Sequence, residues 1–89
     1  MKQMSEELVF GAIYMAGCKS KRKGDWVTIS EIERELKRMG VRIGFTDKFW
    51  SRLTNLLSDL RVAGRIEEQI TGNKSPIGYF LGDRYYRIV

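Results

Sequence analysis

Five polar side chains recur along one stripe of the segment between Thr46 and Ala63. They are spaced three and four residues apart: Lys48, Ser51, Arg52, Asn55 and Asp59. This spacing places them on one face of an α-helix. An arginine can form a paired hydrogen bond with guanine and an asparagine with adenine, each worth roughly 1–3 kcal/mol of discrimination between bases. The stripe therefore has the chemistry of a surface that contacts base edges, with Lys48 better suited to a phosphate.

The opposite stripe of the same segment is apolar. Phe49, Leu53, Leu56, Leu57 and Leu60 follow the helical period, which predicts an amphipathic helix over about residues 46–63. At its start a threonine hydroxyl, that of Thr46, can accept a backbone N–H. At its end, Gly64 can terminate the helix.

Two shorter helices are predicted before it. The first covers about residues 5–17, with Ser5 as its N-cap. A short β-type segment at residues 26–28 precedes the second helix, about residues 31–39. Ser30 with Glu33 is the favoured capping box of that helix, and Thr28 with Glu31 offers the same pattern slightly earlier. Gly40 stands where a left-handed C-cap is expected, and Val41 can close back over the last helical turn.

The C-terminal quarter of the chain predicts a β-hairpin. Residues 65–71 and the stretch from residue 79 onward are rich in Ile, Tyr and Phe, and a Gly- and Pro-containing run at 72–78 supplies a turn. A second turn or a bulge is expected at Gly82 and Asp83. Glu67 and Glu68 would repel phosphates if they faced nucleic acid, although neighbouring strand residues point to opposite faces.

Composition narrows the class of protein. The chain has 89 residues, 43% of them apolar, and a net charge of +5 from sixteen basic and eleven acidic residues. This balance favours an anionic partner. The absence of His and the single Cys18 argue against an enzyme, a metal site and a bound cofactor. No apolar run is long enough for a membrane span, and Glu6 and Glu7 do not fit a signal peptide, so we expect an intracellular, cytoplasmic protein.

A basic run follows the first helix. Four of the five residues from Lys19 to Lys23 are cationic, and Gly24 ends the run, so a loop is expected. Such a run is either merely solvated or in contact with a nucleic acid backbone. On the second interpretation Lys21, Arg22 and Lys23 are the contacts.

The order helix, short strand, helix, tight turn, longer helix, strand, loop, strand resembles the winged helix-turn-helix family of DNA-binding domains. The matching segments are residues 26–32, residues 56–57 with 61–66, and residues 83–88. In size and composition the chain is also similar to small winged-helix proteins of archaea and their viruses. The resemblance spans nearly the whole chain and implies one α+β winged-helix domain over residues 1–89, with the wing at about 65–89.

The resemblance implies a function and a set of contacts. In that family the third helix enters the major groove and the wing touches the backbone or the minor groove. We therefore expect a sequence-specific, double-stranded DNA-binding transcriptional regulator. The contacts implied on the third helix are Thr46, Lys48, Ser51, Arg52 and Asn55. Those implied on the wing are Asn73, Lys74, Ser75 and Arg84.

The first helix has more apolar surface than one neighbour needs. Phe10 and Tyr14 widen its apolar stripe, and Cys18 follows one turn later. One interpretation is a helix packed on two sides, and the other is a homodimer interface. Two other functions are kept open. The domain could be a protein-interaction module that uses this helix, or a non-specific chromatin or replication-origin binder in which the basic run dominates.

Overall fold

The computed structural model describes residues 3–44, 46–74 and 80–89, and for 71–74 and 80–83 it describes the backbone alone. The elements are α1 (Glu6–Lys19), β1 (Val27–Thr28), α2 (Ile29–Arg38), α3 (Asp47–Val62), β2 (Ile66–Lys74) and β3 (Phe80–Ile88). Three helices are thus followed by a C-terminal antiparallel hairpin, which β1 joins as a third strand. This α+β, winged-helix-like topology confirms the fold class predicted from the sequence.

The first helix begins as expected. The hydroxyl of Ser5 accepts the N–H of Leu8 at 3.3 Å, and the helix continues to Lys19, two residues past the predicted end. Cys18 and Lys19 therefore belong to α1, and the basic loop starts later than the sequence suggested.

The start of α2 favoured by the sequence, with Ser30 as N-cap, was wrong, and the alternative, with Thr28 as N-cap, is correct. Thr28 is the N-cap: its hydroxyl accepts the N–H of Glu31 at 3.3 Å, and the Glu31 carboxylate accepts the N–H of Thr28 at 3.4 Å. Ser30 lies inside the helix and is exposed. Because β1 ends at the same threonine, the chain passes from strand into helix with no intervening loop.

Both C-terminal glycine signals are confirmed. Gly40 has φ 92° and Gly64 has φ 75°, the left-handed conformation that glycine adopts without a steric penalty. After Gly40, the N–H of Val41 donates to the carbonyl of Leu36 at 3.0 Å, so the chain closes over the end of α2 and Val41 is buried. The turn into α3 is thereby fixed to the core. At the start of α3, the Thr46 hydroxyl accepts the N–H of Phe49 at 3.3 Å.

The sheet has the strand order β1-β3-β2, with both pairs antiparallel. The hairpin pairs continuously from Ile66 opposite Ile88 to Lys74 opposite Phe80. Gly82 lies within β3 opposite Gly72, so the second turn expected at Gly82 and Asp83 was wrong. The two strands instead pair continuously through this region.

The core lies where the three helices meet the inner face of the sheet. α1 is central, since it packs against α2, α3 and β3. Tyr86 of β3 is 2% exposed and is among the largest fully buried side chains. The larger of the other buried side chains in the helices and strands come from every element: Val9, Ile13, Val27, Ile32, Leu36, Leu53, Leu57, Leu60 and Ile66. No helix among the described residues has the length and apolarity to cross a membrane.

Candidate nucleic-acid interface

The outward face of α3 presents the polar residues predicted from the sequence. Lys48, Ser51, Arg52 and Asn55 are all exposed, while Leu53 on the opposite side is fully buried. We call these four exposed residues the reading face. Thr46 is exposed at its N-terminal end, where its hydroxyl is already engaged in the helix cap.

A basic groove adjoins one side of the reading face. Arg42, from the turn after α2, lines it together with Lys48 and Arg52, and Met4 and Phe49 form part of its wall. None of these three cations forms an ion pair with a residue that the structure describes. Their charge is therefore available to an external anion.

A second, more polar groove adjoins the other side of the reading face. It lies between the C-terminal half of α3 and the hairpin, and its lining includes Thr54, Ser58, Arg61 and Arg84. Arg84 is exposed on β3. The structure therefore places an arginine of β3 beside the C-terminal half of α3.

The two glutamates of β2 are matched by cations. Glu67 accepts a hydrogen bond from Nε of Arg87 at 2.7 Å, and the Arg87 guanidinium stacks over the ring of Trp26, 4.5 Å from its centroid. Oε1 of Glu68 lies 3.4 Å from Nη1 of Arg61. As expected, the two carboxylates occupy different environments, and each is paired rather than left as an unpaired negative charge on the wing.

Tyr86 adds a buried hydroxyl to this side of the sheet. Burial, together with its hydrogen bond to Glu68, raises the pKa of Tyr86 to about 12. The phenol therefore remains neutral over the whole physiological range, as a donor that holds the carboxylate of Glu68.

Part of the basic run is used internally. Nζ of Lys19 lies 2.8 Å from Oε1 of Glu35 on α2, and Arg22 donates to Glu31 and stacks over Tyr85 at 5.3 Å. Burial opposes ionisation of Glu31, but hydrogen bonds from Arg22 and Thr28 outweigh it, so the pKa of Glu31 lies below its ordinary value. The Lys19 contact joins α1 to α2, and the Arg22 contacts hold the loop against α2 and β3.

Lys21 and Lys23 are the exceptions within that run. Both are exposed, and neither pairs with an acid in the described part of the chain. Of the three loop contacts predicted from the sequence, Arg22 is therefore held by the protein itself, while the two lysines are free of such contacts.

For three of the predicted wing contacts the structure does not describe the side chain. Ser75 lies outside the described residues, and for Asn73 and Lys74 the description is limited to their backbone at the end of β2. The part of the wing that can be described is its base, where Arg84 lies.

The predicted dimer residues differ in exposure. Tyr14 is 59% exposed and Cys18 is exposed and free of any disulfide, whereas Phe10 is half-buried beneath the guanidinium of Arg65, 4.1 Å from its ring centroid. Met15 on the same helix is also partly exposed. A groove of about 550 Å³ runs beside Tyr14 and Cys18, bounded on its other side by the last residues of β3. The exposed apolar surface of α1 is therefore centred on Tyr14.

The sequence analysis did not identify three exposed cations on α2 and in the turn that follows it. Arg34 and Lys37 lie on the outer face of α2, and Arg42 follows in the turn; none pairs with an acid among the described residues. A signal was present, since Ser30, Arg34 and Lys37 follow the helical period on the face opposite Ile32 and Leu36.

Comparisons with known proteins add no relative. No family model matches the chain, and neither the curated proteins nor the solved structures contain a significant match. Among the described residues, no cluster of acidic and cysteine side chains is suited to hold a metal ion.

Proposed function

We propose that this protein binds double-stranded DNA in a sequence-specific manner and acts as a transcriptional regulator. The observation that supports this most directly is the position of the reading face between two grooves. Arg42 lies on one side of it and Arg84 on the other, and each comes from a different element. A helix face with cations on both flanks suits a major groove, whose base edges lie between two phosphate backbones.

Each part of the surface has its own role in the proposal. Arg52 and Asn55 hydrogen-bond base edges, Lys48 contacts phosphate near the start of α3, and Arg84 contacts the backbone from the base of the wing. A monomer with four to six phosphate contacts should show log K falling by roughly 4–5 units per tenfold rise in salt, at about 0.9 unit per phosphate.

The decisive experiment is selection of bound sequences from a random duplex pool, followed by affinity measurements on the selected site and on a scrambled one. Asn55→Ala and Arg52→Ala should each lose roughly 1–3 kcal/mol of preference for the selected site. Lys21→Ala, which removes an exposed lysine of the loop after α1, serves as the control and should retain that preference. If wild-type protein enriches no sequence, sequence-specific recognition is ruled out. If both α3 variants keep the full preference, base contacts by Arg52 and Asn55 are ruled out.

We further propose that two copies associate through the α1 surface around Tyr14. The large exposed fraction of Tyr14, with Met15 and the adjoining groove beside it, favours an interface with a second copy. Such a dimer would present two copies of α3 to half-sites about one helical turn apart. Sedimentation should give a dimer for wild type, with and without reductant, and a monomer for Tyr14→Arg. A monomeric wild type at tens of micromolar would refute the association.

A further inference from the structure

We propose that the outer face of α2 and the turn after it form a second backbone-binding surface, the basic strip, made of Arg34, Lys37 and Arg42. It would bind the phosphodiester backbone of a duplex independently of base sequence. This inference depends on the proposed DNA-binding function and extends it, because it assigns much of the electrostatic attraction to a helix other than α3.

The first argument is the availability of charge. On the neighbouring side of α2, Lys19, Arg22 and Arg38 all lie within ion-pair distance of Glu31 or Glu35. The three residues of the basic strip form no ion pair with any residue in the described ranges, and all are exposed. The fold thus neutralises one cationic side of α2 and leaves the other open.

The second argument is continuity with the reading face. A groove of about 580 Å³ is lined by Ser30, Glu33, Arg34, Lys37 and the turn from Gly40 to Ile43. Arg42 lines this groove and also the groove that contains Lys48 and Arg52. The cations of α2 and those of α3 therefore border one continuous surface, and Arg42 lies at the junction.

The third argument concerns the kind of anion that fits. The cations are exposed and follow one another along a helix and a turn, so they suit an extended chain of phosphates. A compact anion such as free phosphate would reach only one or two of them at a time. The groove also includes one carboxylate, Glu33, whose pKa is raised by burial. Its negative charge opposes the neighbouring cations, which leaves a net positive surface.

The test compares two double variants with the same loss of charge. Arg34→Gln/Lys37→Gln removes two cations of the basic strip, and Lys21→Gln/Lys23→Gln removes two exposed lysines from the loop. Affinity for a selected site and for a random duplex is measured over a tenfold range of salt. At about 0.9 unit per phosphate, the strip variant should lose roughly 2 units of salt slope on both duplexes and keep its preference for the selected site.

The loop variant should lose much less of the salt slope, because salt screens the attraction between phosphates and charges that do not contact them directly. A charge-preserving swap, Arg34→Lys/Lys37→Arg, should retain the wild-type slope, which would show that the charge at these positions matters and not the identity of the side chain. A urea midpoint of the glutamine variant equal to that of wild type excludes a folding defect as the cause. Equal salt slopes for the strip and loop variants would refute the proposal that the basic strip binds the DNA backbone.

Failure of the strip and failure of the proposed function give different results. If wild type binds with a steep salt slope and Asn55→Ala loses its preference, yet the strip variant behaves as wild type, the strip alone is wrong. If wild type binds no duplex at low salt, both proposals fall.

Discussion

Lys19, in the last turn of α1, donates to Glu35 of α2 across 2.8 Å, and this carboxylate is the buried charged group of the described core. Arg38 approaches the same oxygen at 3.5 Å. A carboxylate with 7% of its side chain exposed needs such partners, because an unpaired buried charge is costly. The pair therefore joins the two helices and explains why Lys19, the first cation of the basic run, is not free.

Removing the lysine should destabilise the fold. We expect Lys19→Ala to lower the free energy of unfolding by about 1–2 kcal/mol, less than the 3–5 kcal/mol typical of a fully buried pair, because Arg38 remains and Lys19 is itself half-exposed. Urea titration of the wild type and the variant measures this. Lys21→Ala removes an exposed lysine of the loop and should change stability by less than about 0.5 kcal/mol. Equal stability of the two variants would show that Glu35 does not depend on Lys19.

The N-cap of α2 provides a second, sharply matched comparison. Thr28→Ala removes the hydroxyl that accepts the N–H of Glu31, and should cost about 1 kcal/mol of unfolding free energy. Ser30→Ala, two residues later, removes an exposed hydroxyl inside the helix and should be nearly neutral. Chemical denaturation distinguishes the two, and a larger loss for Ser30→Ala would restore the helix start favoured by the sequence.

The sequence was sufficient for the element order, because the helical period, the caps and the glycines at 40 and 64 all act locally. The choice between Thr28 and Ser30 depended on tertiary pairing: β1 pairs with β3 at Thr28, so the strand ends where the helix must begin. Gly82 and Asp83 looked like a turn, but pairing with β2 holds the strand extended there. Cross-strand pairing between residues distant in sequence is not visible in local composition.

The candidate interface was also predicted only in part, because some of its features depend on contacts between residues distant in sequence. The polar stripe of α3 follows directly from periodicity. Which cations are free depends on contacts between distant residues, such as Lys19 with Glu35 and Arg87 with Glu67. Sequence alone did not show that Lys19 and Arg22 of the basic run pair with acids of α2. It also did not single out Arg42, which lines two grooves.

Tyr86 should make the fold sensitive to alkaline pH. Its pKa is raised from 10 to about 12 in the folded protein, chiefly by burial, so the folded state holds its proton more tightly than the unfolded state does. The stability that this difference contributes is present below pH 10, falls as pH rises, and is lost by about pH 12. At 1.36 kcal/mol per pKa unit, the loss is about 2–3 kcal/mol at most.

Denaturation curves at several alkaline pH values test this expectation. Tyr86→Phe should be less stable than wild type at neutral pH by about 1 kcal/mol, because Glu68 loses a hydrogen bond, and it should lack most of the alkaline decline. Tyr14→Phe, which removes an exposed phenol, controls for the loss of one hydroxyl. An alkaline decline that persists unchanged in Tyr86→Phe would assign it to another group.

Glu33 provides a gain-of-affinity prediction for the basic strip. It lines the groove with Arg34, Lys37 and Arg42, and burial raises its pKa, so its ionised form is disfavoured there. The protonated form of Glu33 is the one that the fold favours. Its contribution to stability is fully present below the unfolded-state pKa and is lost as pH rises through the higher folded-state pKa. At neutral pH the charge therefore brings no stability and repels an approaching phosphate. Glu33→Gln should strengthen binding to any duplex by about 0.5–1 kcal/mol at low salt, without altering sequence preference.

The matched control is Asp25→Asn, which removes one negative charge from the loop before β1. Asp25 is exposed with φ 59°, a conformation that asparagine tolerates, so the substitution should not disturb the fold. If attraction to DNA is concentrated on the outer face of α2, Glu33→Gln gains affinity and Asp25→Asn gains little. If the gain is larger for Asp25→Asn, phosphates approach the loop that contains Lys21 and Lys23, and the backbone contacts belong there instead. Affinity of the two variants for one random duplex at low and high salt decides between these outcomes, because the difference should shrink as salt screens both charges.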